Sequence, residues 1–256
     1  MYKDQDHIRK FLNDMDIMRF TDVTDVSDIY IKEVPGKINL MALKETDISA
    51  MQPYKSGTIY ETEGNKYHIF KFKLRVSPVY DRKPFVLKAI TGFGTDWNVF
   101  RNPNFLLFIN GQPEQAFDFG HRECIITDCA KAHDEYECFL FEFSGMKKGP
   151  VQLTLQTCSL DYPTDELYYN ILCPGESIPF IESEAIRKDT AKYLINAINM
   201  VDLREPYSDK YYETVSKANG YLLDEYYGKY CDDDTSEVTV AAVGHSHIDV
   251  AWRWPI

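Results

Sequence analysis

The sequence predicts a mainly β protein with added helices: an N-terminal antiparallel β-sandwich, jelly-roll-like, then a helical connector, then the first strand of a truncated β/α barrel. Three observations predict it. Between about Asp28 and Leu160 apolar and polar residues alternate with a period of two, the pattern of strands with one wet face. After Pro174-Gly175 the apolar period lengthens to that of a helix. From Val238 the chain is strand-like again but apolar on both faces (Val238, Val240, Ala241, Ala242, Val243), as in a parallel sheet covered on both sides. The expected domains are 1–173 for the sandwich, 174–235 for the connector and 236–256 for the start of the barrel.

Ile8, Phe11, Leu12 and Met15 stand at i, i+3, i+4 and i+7 and mark a short amphipathic helix at the start of the chain. Strand patterns follow at Ile29 to Val34 and Tyr67 to Val76. In the second, Phe70, Phe72, Leu74 and Val76 alternate with Lys71, Lys73 and Arg75. Further runs cover Phe85 to Ile90, Phe105 to Ile109, Tyr136 to Phe143 and Val151 to Leu160, with turn signals at Asn110-Gly111 and Lys148-Gly149-Pro150. Several short strands in series suit a sandwich. Many carbohydrate-binding modules share that architecture, although architecture does not establish binding. The aromatics Trp97, Phe100, Phe117 and Phe119 fall in or near loops; they either close the end of the core, the commoner role, or form a sugar platform.

In the connector, Ile186, Tyr193, Leu194, Ala197, Ile198 and Val201 form one apolar stripe. A break at Pro206 separates it from a helix opening near Ser208, lined by Tyr212, Val215, Leu222, Leu223 and Tyr226 and ending near Gly228. Asp232-Asp233-Asp234 lacks the ligand spacing and glycine of a calcium loop and reads as a solvated loop.

Composition narrows the function classes. At 256 residues and 44% hydrophobic, the chain is long enough for a sizeable core. A formal charge of −12 argues against nucleic acid or an anionic membrane as partner and suits a neutral glycan. The N-terminus MYKDQDHIRKFLNDMD has no apolar signal region, and no stretch approaches the ~18 apolar residues of a membrane span, so a cytoplasmic location is expected. The six cysteines fit no zinc-ribbon spacing and are expected as free thiols.

The chemistry concentrates in Val240 to Ile256, VAAVGHSHIDVAWRWPI. On a strand, His245, His247 and Asp249 at i, i+2 and i+4 project to one side, where they are able to share a metal or a substrate. Burying three such groups costs roughly 1–3 kcal/mol or more for each one left unsatisfied, which a metal or tight hydrogen-bond network offsets. In parallel α/β folds the carboxyl ends of strands are where ligands bind.

Gly244-His245-Ser246-His247-Ile248-Asp249-Val250-Ala251-Trp252-Arg253-Trp254-Pro255 resembles the first-strand signature of glycoside hydrolase family 38 α-mannosidases. Its Trp-x-Trp-Pro ending is more similar to the cytosolic, vacuolar and bacterial branch than to the Golgi or lysosomal enzymes. The resemblance covers about a dozen residues. It implies that His247 and Asp249 are two of four protein ligands of a catalytic zinc, or another divalent metal, that Trp252 stacks on the mannose ring, and that His245 is a motif position but not a ligand. It also implies a retaining reaction with an aspartate nucleophile and a second carboxyl group as acid and base, zinc holding the 2- and 3-hydroxyls. The nucleophile, which doubles as a ligand, and the fourth ligand, a histidine, come from later strands in that family. The chain is therefore expected to be an N-terminal part of such an enzyme, inactive and metal-free alone. Its expected partners are an α-mannoside glycan, with neither nucleic acid nor membrane, and a homo-oligomer is compatible. Arg253 departs from the pattern, because the cytosolic branch more often carries an apolar residue there.

Two other readings are compatible with parts of this pattern. His-x-His at the end of a first barrel strand also opens amidohydrolase-like metal-dependent hydrolases, in which both His245 and His247 bind metal; Trp252 and Trp254, and the long stretch upstream, favour the sugar enzyme. Alternatively the N-terminal region is a carbohydrate-binding or assembly module without turnover.

Overall fold

The computed structural model describes residues 2–35, 47–91 and 103–230. Two compact units divide them: Asp22–Leu160, and the N-terminal segment through Thr21 together with the chain from Asp161 onward. The mainly β class with a sandwich and helices is what the structure shows. The barrel strand expected over 236–256 lies outside the described residues.

Among the described residues, eleven strands build the sandwich: β1 (Phe20–Asp25), β2 (Ile29–Val34), β3 (Gln52–Tyr54), β4 (Ile59–Thr62), β5 (Tyr67–Arg75), β6 (Phe85–Thr91), β7 (Asn104–Ile109), β8 (Gln112–Phe117), β9 (Glu123–Thr127), β10 (Glu135–Phe143) and β11 (Gly149–Leu160). One sheet has the order β3-β2-β5-β10-β7-β8; the other runs β1-β11-β6-β9, with β4 beside the start of β11. The β5–β10 and β6–β11 pairings are antiparallel. Inward residues of both sheets meet in one buried cluster that includes Phe70, Phe72 and Leu74 of β5, Leu140 of β10, Leu87 of β6 and Leu155 of β11. The alternation read from the sequence is thus the alternation of core and outer face.

Local chemistry sets the turns. Asn110 and Gly111 both have positive φ (50° and 80°) and join β7 to β8, as an Asn-Gly hairpin requires. Gly64 has φ 79°, and a Cβ there would sit 2.7 Å from the backbone carbon of Lys147, so the β4–β5 turn tolerates no side chain at this point. The Lys148-Gly149-Pro150 signal falls one step late. Gly149 and Pro150 already pair with Thr62 and Glu61, at the strand start where a missing N–H is tolerated.

The helical unit contains α1 (Tyr2–Met18), α2 (Tyr162–Ser177), α3 (Glu184–Ile198) and α4 (Asp209–Tyr221), the last continuing through a π-helical stretch, Leu222–Tyr227, to Tyr230. Asp161, Ser183 and Ser208 cap α2, α3 and α4, each accepting a backbone N–H with its side chain. Ile8, Phe11, Leu12 and Met15 of α1 join Leu167, Ile171, Leu194, Tyr211 and Val215 in a second buried cluster.

Helix α2 falls where the sequence suggests the end of the sandwich. The boundary expected at 173 lies inside it, and Pro174-Gly175, after which the helical period is expected to begin, is itself helical. The glycine has a packing reason: a Cβ at Gly175 would come within 3.3 Å of Ile8 Cγ2.

Candidate functional site

Two places in the sandwich combine polar chemistry with shape. The first is a buried cluster formed by β4, β5 and β10. His68 and Glu142 are directly paired neighbours on β5 and β10, and both lie on the inward face, continuing the series Leu74, Phe72, Phe70 and Cys138, Leu140. Glu142 is fully buried and His68 is 8% exposed. From the facing sheet, the Tyr60 hydroxyl donates to Glu142 Oε1 at 2.6 Å. Burial, with the carboxylate beside it, raises the Tyr60 pKa well above its ordinary value, so the hydroxyl is protonated and donates. His68 Nδ1 and Glu142 Oε2 are 2.8 Å apart but out of line for a hydrogen bond. The Tyr60 and His68 rings meet edge to face at 5.5 Å and line a cavity of about 410 Å³ with Tyr54, Pro53 and Glu33.

The second place is a groove of about 690 Å³ on the outer face of the six-stranded sheet. Its floor is graded across β2, β5 and β10. One row is Tyr30, Lys71 and Phe139, set side by side by the register. The next is Lys73 and Glu137, and beyond it Arg75 faces Glu135. Phe139 is stacked on Phe108 at 4.3 Å with an interplanar angle of 7°. At the polar end the charges satisfy one another: Arg75 Nη2 and Lys73 Nζ lie 2.6 and 3.2 Å from Glu135, and Lys73 is 4.0 Å from Glu137. Burial lowers the Lys71 pKa, against the pull of Glu137 and Asp47. Ser27, Asp28 and Ile48 also line the groove, as do Asn110 and Gly111 from the β7–β8 turn.

The motif residues His245, His247, Asp249, Trp252, Arg253 and Trp254 lie outside the described residues, as do Trp97 and Phe100. Of the other loop aromatics, Phe117 is 1% exposed and belongs to the core, while Phe119 is half-buried and its carbonyl accepts from Arg122 Nε. Cys124, Cys129, Cys138, Cys158 and Cys173 are free thiols. Among the described residues no group of three or more His, Cys, Asp or Glu is arranged to hold a metal, and no helix is long and apolar enough to cross a membrane. The sequence reading covers the strands that carry His68 and Glu142 without singling out either residue. Their inward register was the available signal: a carboxylate two positions from Leu140 and an imidazole two from Phe70 share the core face.

No protein-family model matches this sequence, and no curated protein matches it. Among solved structures the chain is similar to a β-glucuronidase from an uncultured Clostridium species, at 11% identity over 55% of this chain and 29% of that one, with a TM-score of 0.34. It is similar to Ruminococcus gnavus β-glucuronidase at 9% identity, over 54% of this chain and 28% of that one, with a TM-score of 0.35. For Bacteroides uniformis β-glucuronidase the identity is 14%, the coverage 54% and 18%, and the TM-score 0.34. The chain thus spans less than a third of the length of these structures. Likeness at these values bears on neither activity nor substrate.

Proposed function

We propose that this chain contributes to a glycoside hydrolase, a metal-dependent retaining α-mannosidase acting on terminal α-mannosides of glycans. The observation that carries the reading is the twelve-residue string Gly244 to Pro255. The donor set fits zinc: an imidazole nitrogen from His247 and a carboxylate oxygen from Asp249 are ordinary zinc donors, and two donors leave positions for further ligands and a sugar hydroxyl. A metal bound there supplies a Lewis-acidic anchor for hydroxyls of the sugar.

On this reading His247 and Asp249 hold the metal, and the indole of Trp252 packs against the apolar C–H face of the mannose ring and orients it. A whole enzyme of this kind holds these residues together with the aspartate nucleophile and the second carboxyl group that acts as acid and base.

The test uses that whole enzyme, with metal content and hydrolysis of an aryl α-mannoside measured side by side. His247→Ala and Asp249→Ala are each expected to remove metal and activity together while circular dichroism stays unchanged. Stoichiometric zinc and near-normal turnover in both variants would overturn the assignment. Loss of metal and rate in His245→Ala to the same degree would point instead to a site in which both histidines are ligands.

A further inference from the structure

We propose that the groove on the outer face of the six-stranded sheet is a binding site for a neutral saccharide. The volume, about 690 Å³, lies in the ~300–1,000 Å³ range of small-molecule sites. The floor of the groove grades from apolar to charged. A sugar ring presents an apolar C–H face and a rim of hydroxyls that both donate and accept, so its site needs an aromatic or apolar surface beside mixed donors and acceptors.

The groove places these in adjacent rows on three hydrogen-bonded strands. Half-buried Tyr30 and Ile48, 47% exposed, supply the accessible apolar surface, and Phe139, only 5% exposed, stands on the other side of Lys71 in the same row as Tyr30. The neighbouring residues offer Lys73, Arg75 and Asn110 as donors and Glu137, Asp28 and Ser27 as acceptors. Strand pairing holds these positions in a fixed register, which limits the ordering cost of binding.

Charge selects the ligand. Arg75 and Lys73 are already neutralised by Glu135 at 2.6 and 3.2 Å, and the Glu137 carboxylate, with 81% of its side chain exposed, stands at the same end. A polyanion would have to displace these carboxylates and face Asp28 and Glu137; a polycation would meet Lys71, Lys73 and Arg75. A neutral polyol breaks no ion pair and uses both signs as hydrogen-bond partners. The residues named for this site all lie before position 140, and the proposal does not depend on the mannosidase reading.

The experiment titrates the purified chain with α-1,2-mannobiose and cellobiose as neutral probes and with glucuronic acid as the charged counterpart, followed by calorimetry and amide NMR shifts. At least one neutral disaccharide is expected to saturate, with shifts centred on β2, β5 and β10. Its Kd should rise about tenfold or more, a loss readily resolved by calorimetry, in both Tyr30→Ala and Glu137→Ala. Glu137 is a surface residue, so its variant guards against misfolding at Tyr30. Four results would overturn the proposal: saturation by neither neutral disaccharide, binding of glucuronic acid alone, binding that survives both groove variants, or shifts centred on residues 240–256, which would place the sugar at the C-terminal motif.

Discussion

The sandwich and the helical unit bury polar groups in opposite ways. In the sandwich the strand ladders satisfy the backbone, and every second side chain points into a core of phenylalanine and leucine. Polarity enters that core at few points, and Glu142 with His68 and Tyr60 is the most concentrated of them. The helical unit instead holds most of the chain's 18 tyrosines. Their rings pack while their hydroxyls are tied pair by pair: Tyr211 with Thr164, Tyr212 to Asp161, Tyr221 with Asn196, and Tyr227 to the carbonyl of Asn170. An inward polar residue on a strand has only its facing neighbours to satisfy it, whereas a helix surface lets a long amphipathic side chain reach its own partner. Sensitivity to substitution should therefore be focused in the sandwich and spread out among the helices.

The sharpest way to break that comparison is Glu142→Ala. It leaves the Tyr60 hydroxyl and His68 buried without the carboxylate, and urea unfolding is expected to show a loss of about 3–5 kcal/mol. Glu142→Gln, whose amide oxygen still accepts from Tyr60, should lose distinctly less. A cost for Glu142→Ala no larger than a surface change of about 0.5 kcal/mol would mean that the cluster is not the strained point of the core.

Arg19 is the nearest equivalent in the helical unit. Its guanidinium is buried, bonded to Asp165 at 2.6 Å and Asp16 at 2.8 Å, and lies over the Tyr168 and Tyr169 rings. Burial works to lower its pKa, but the two carboxylates more than offset this and the net direction is upward. Arg19→Ala is expected to cost about 2–3 kcal/mol, less than Glu142→Ala because Asp16 and Asp165 keep some access to solvent. Single hydroxyl deletions test the distributed half of the comparison. Tyr211→Phe and Tyr212→Phe should each cost about 1 kcal/mol by the same unfolding measurement.

Two smaller effects sharpen the picture without large changes in stability. Burial pushes the Cys124 thiol up to about 11 and those of Cys138 and Cys158 up to about 12, while Cys129 and Cys173 are exposed. A thiol reagent at pH 8 should thus label Cys129 and Cys173 in the native state and reach the three sandwich-core cysteines only on unfolding. Rapid native labelling of Cys138 would show that the sandwich opens locally.

The smallest expected effect is at Asp202. Hydrogen bonds from Arg204 lower its pKa to about 2, below the unfolded value of ~3.9. A carboxylate with a depressed folded pKa contributes stability above the unfolded pKa and loses it as pH falls through the folded one. The melting temperature should show a slight drop between about pH 4 and pH 2 that Asp202→Asn removes.

The sequence is legible wherever the cause is local. Alternation at Phe70, Phe72 and Leu74, the Asn110-Gly111 turn, and the Ser208 cap each depend on a few consecutive residues, and each is found as read. Short or polar strands gave no such signal: β8, QPEQAF, and β9, ECIIT, owe their place to neighbours and not to period. Helix α2 escaped because Pro174-Gly175 argues for a break, while the actual reason for that glycine, Ile8, is far away in the chain.

By itself, then, the sequence determined the class of each strongly periodic segment, the inward face of each such strand, and the string from Gly244 to Pro255 on which the proposed chemistry rests. Partner choice was decided only by the tertiary structure. A period of two states that Glu142 and His68 point inward; it does not state that they face each other, or that Tyr60, 82 residues from Glu142, closes the cluster from the other sheet. Nor does it state that α1 belongs with the helices after Leu160. Local propensity is set within a turn or a strand, whereas register, and the ordering of Tyr30, Lys71 and Phe139 into one row, arises when segments far apart in the chain compete to bury the same apolar face.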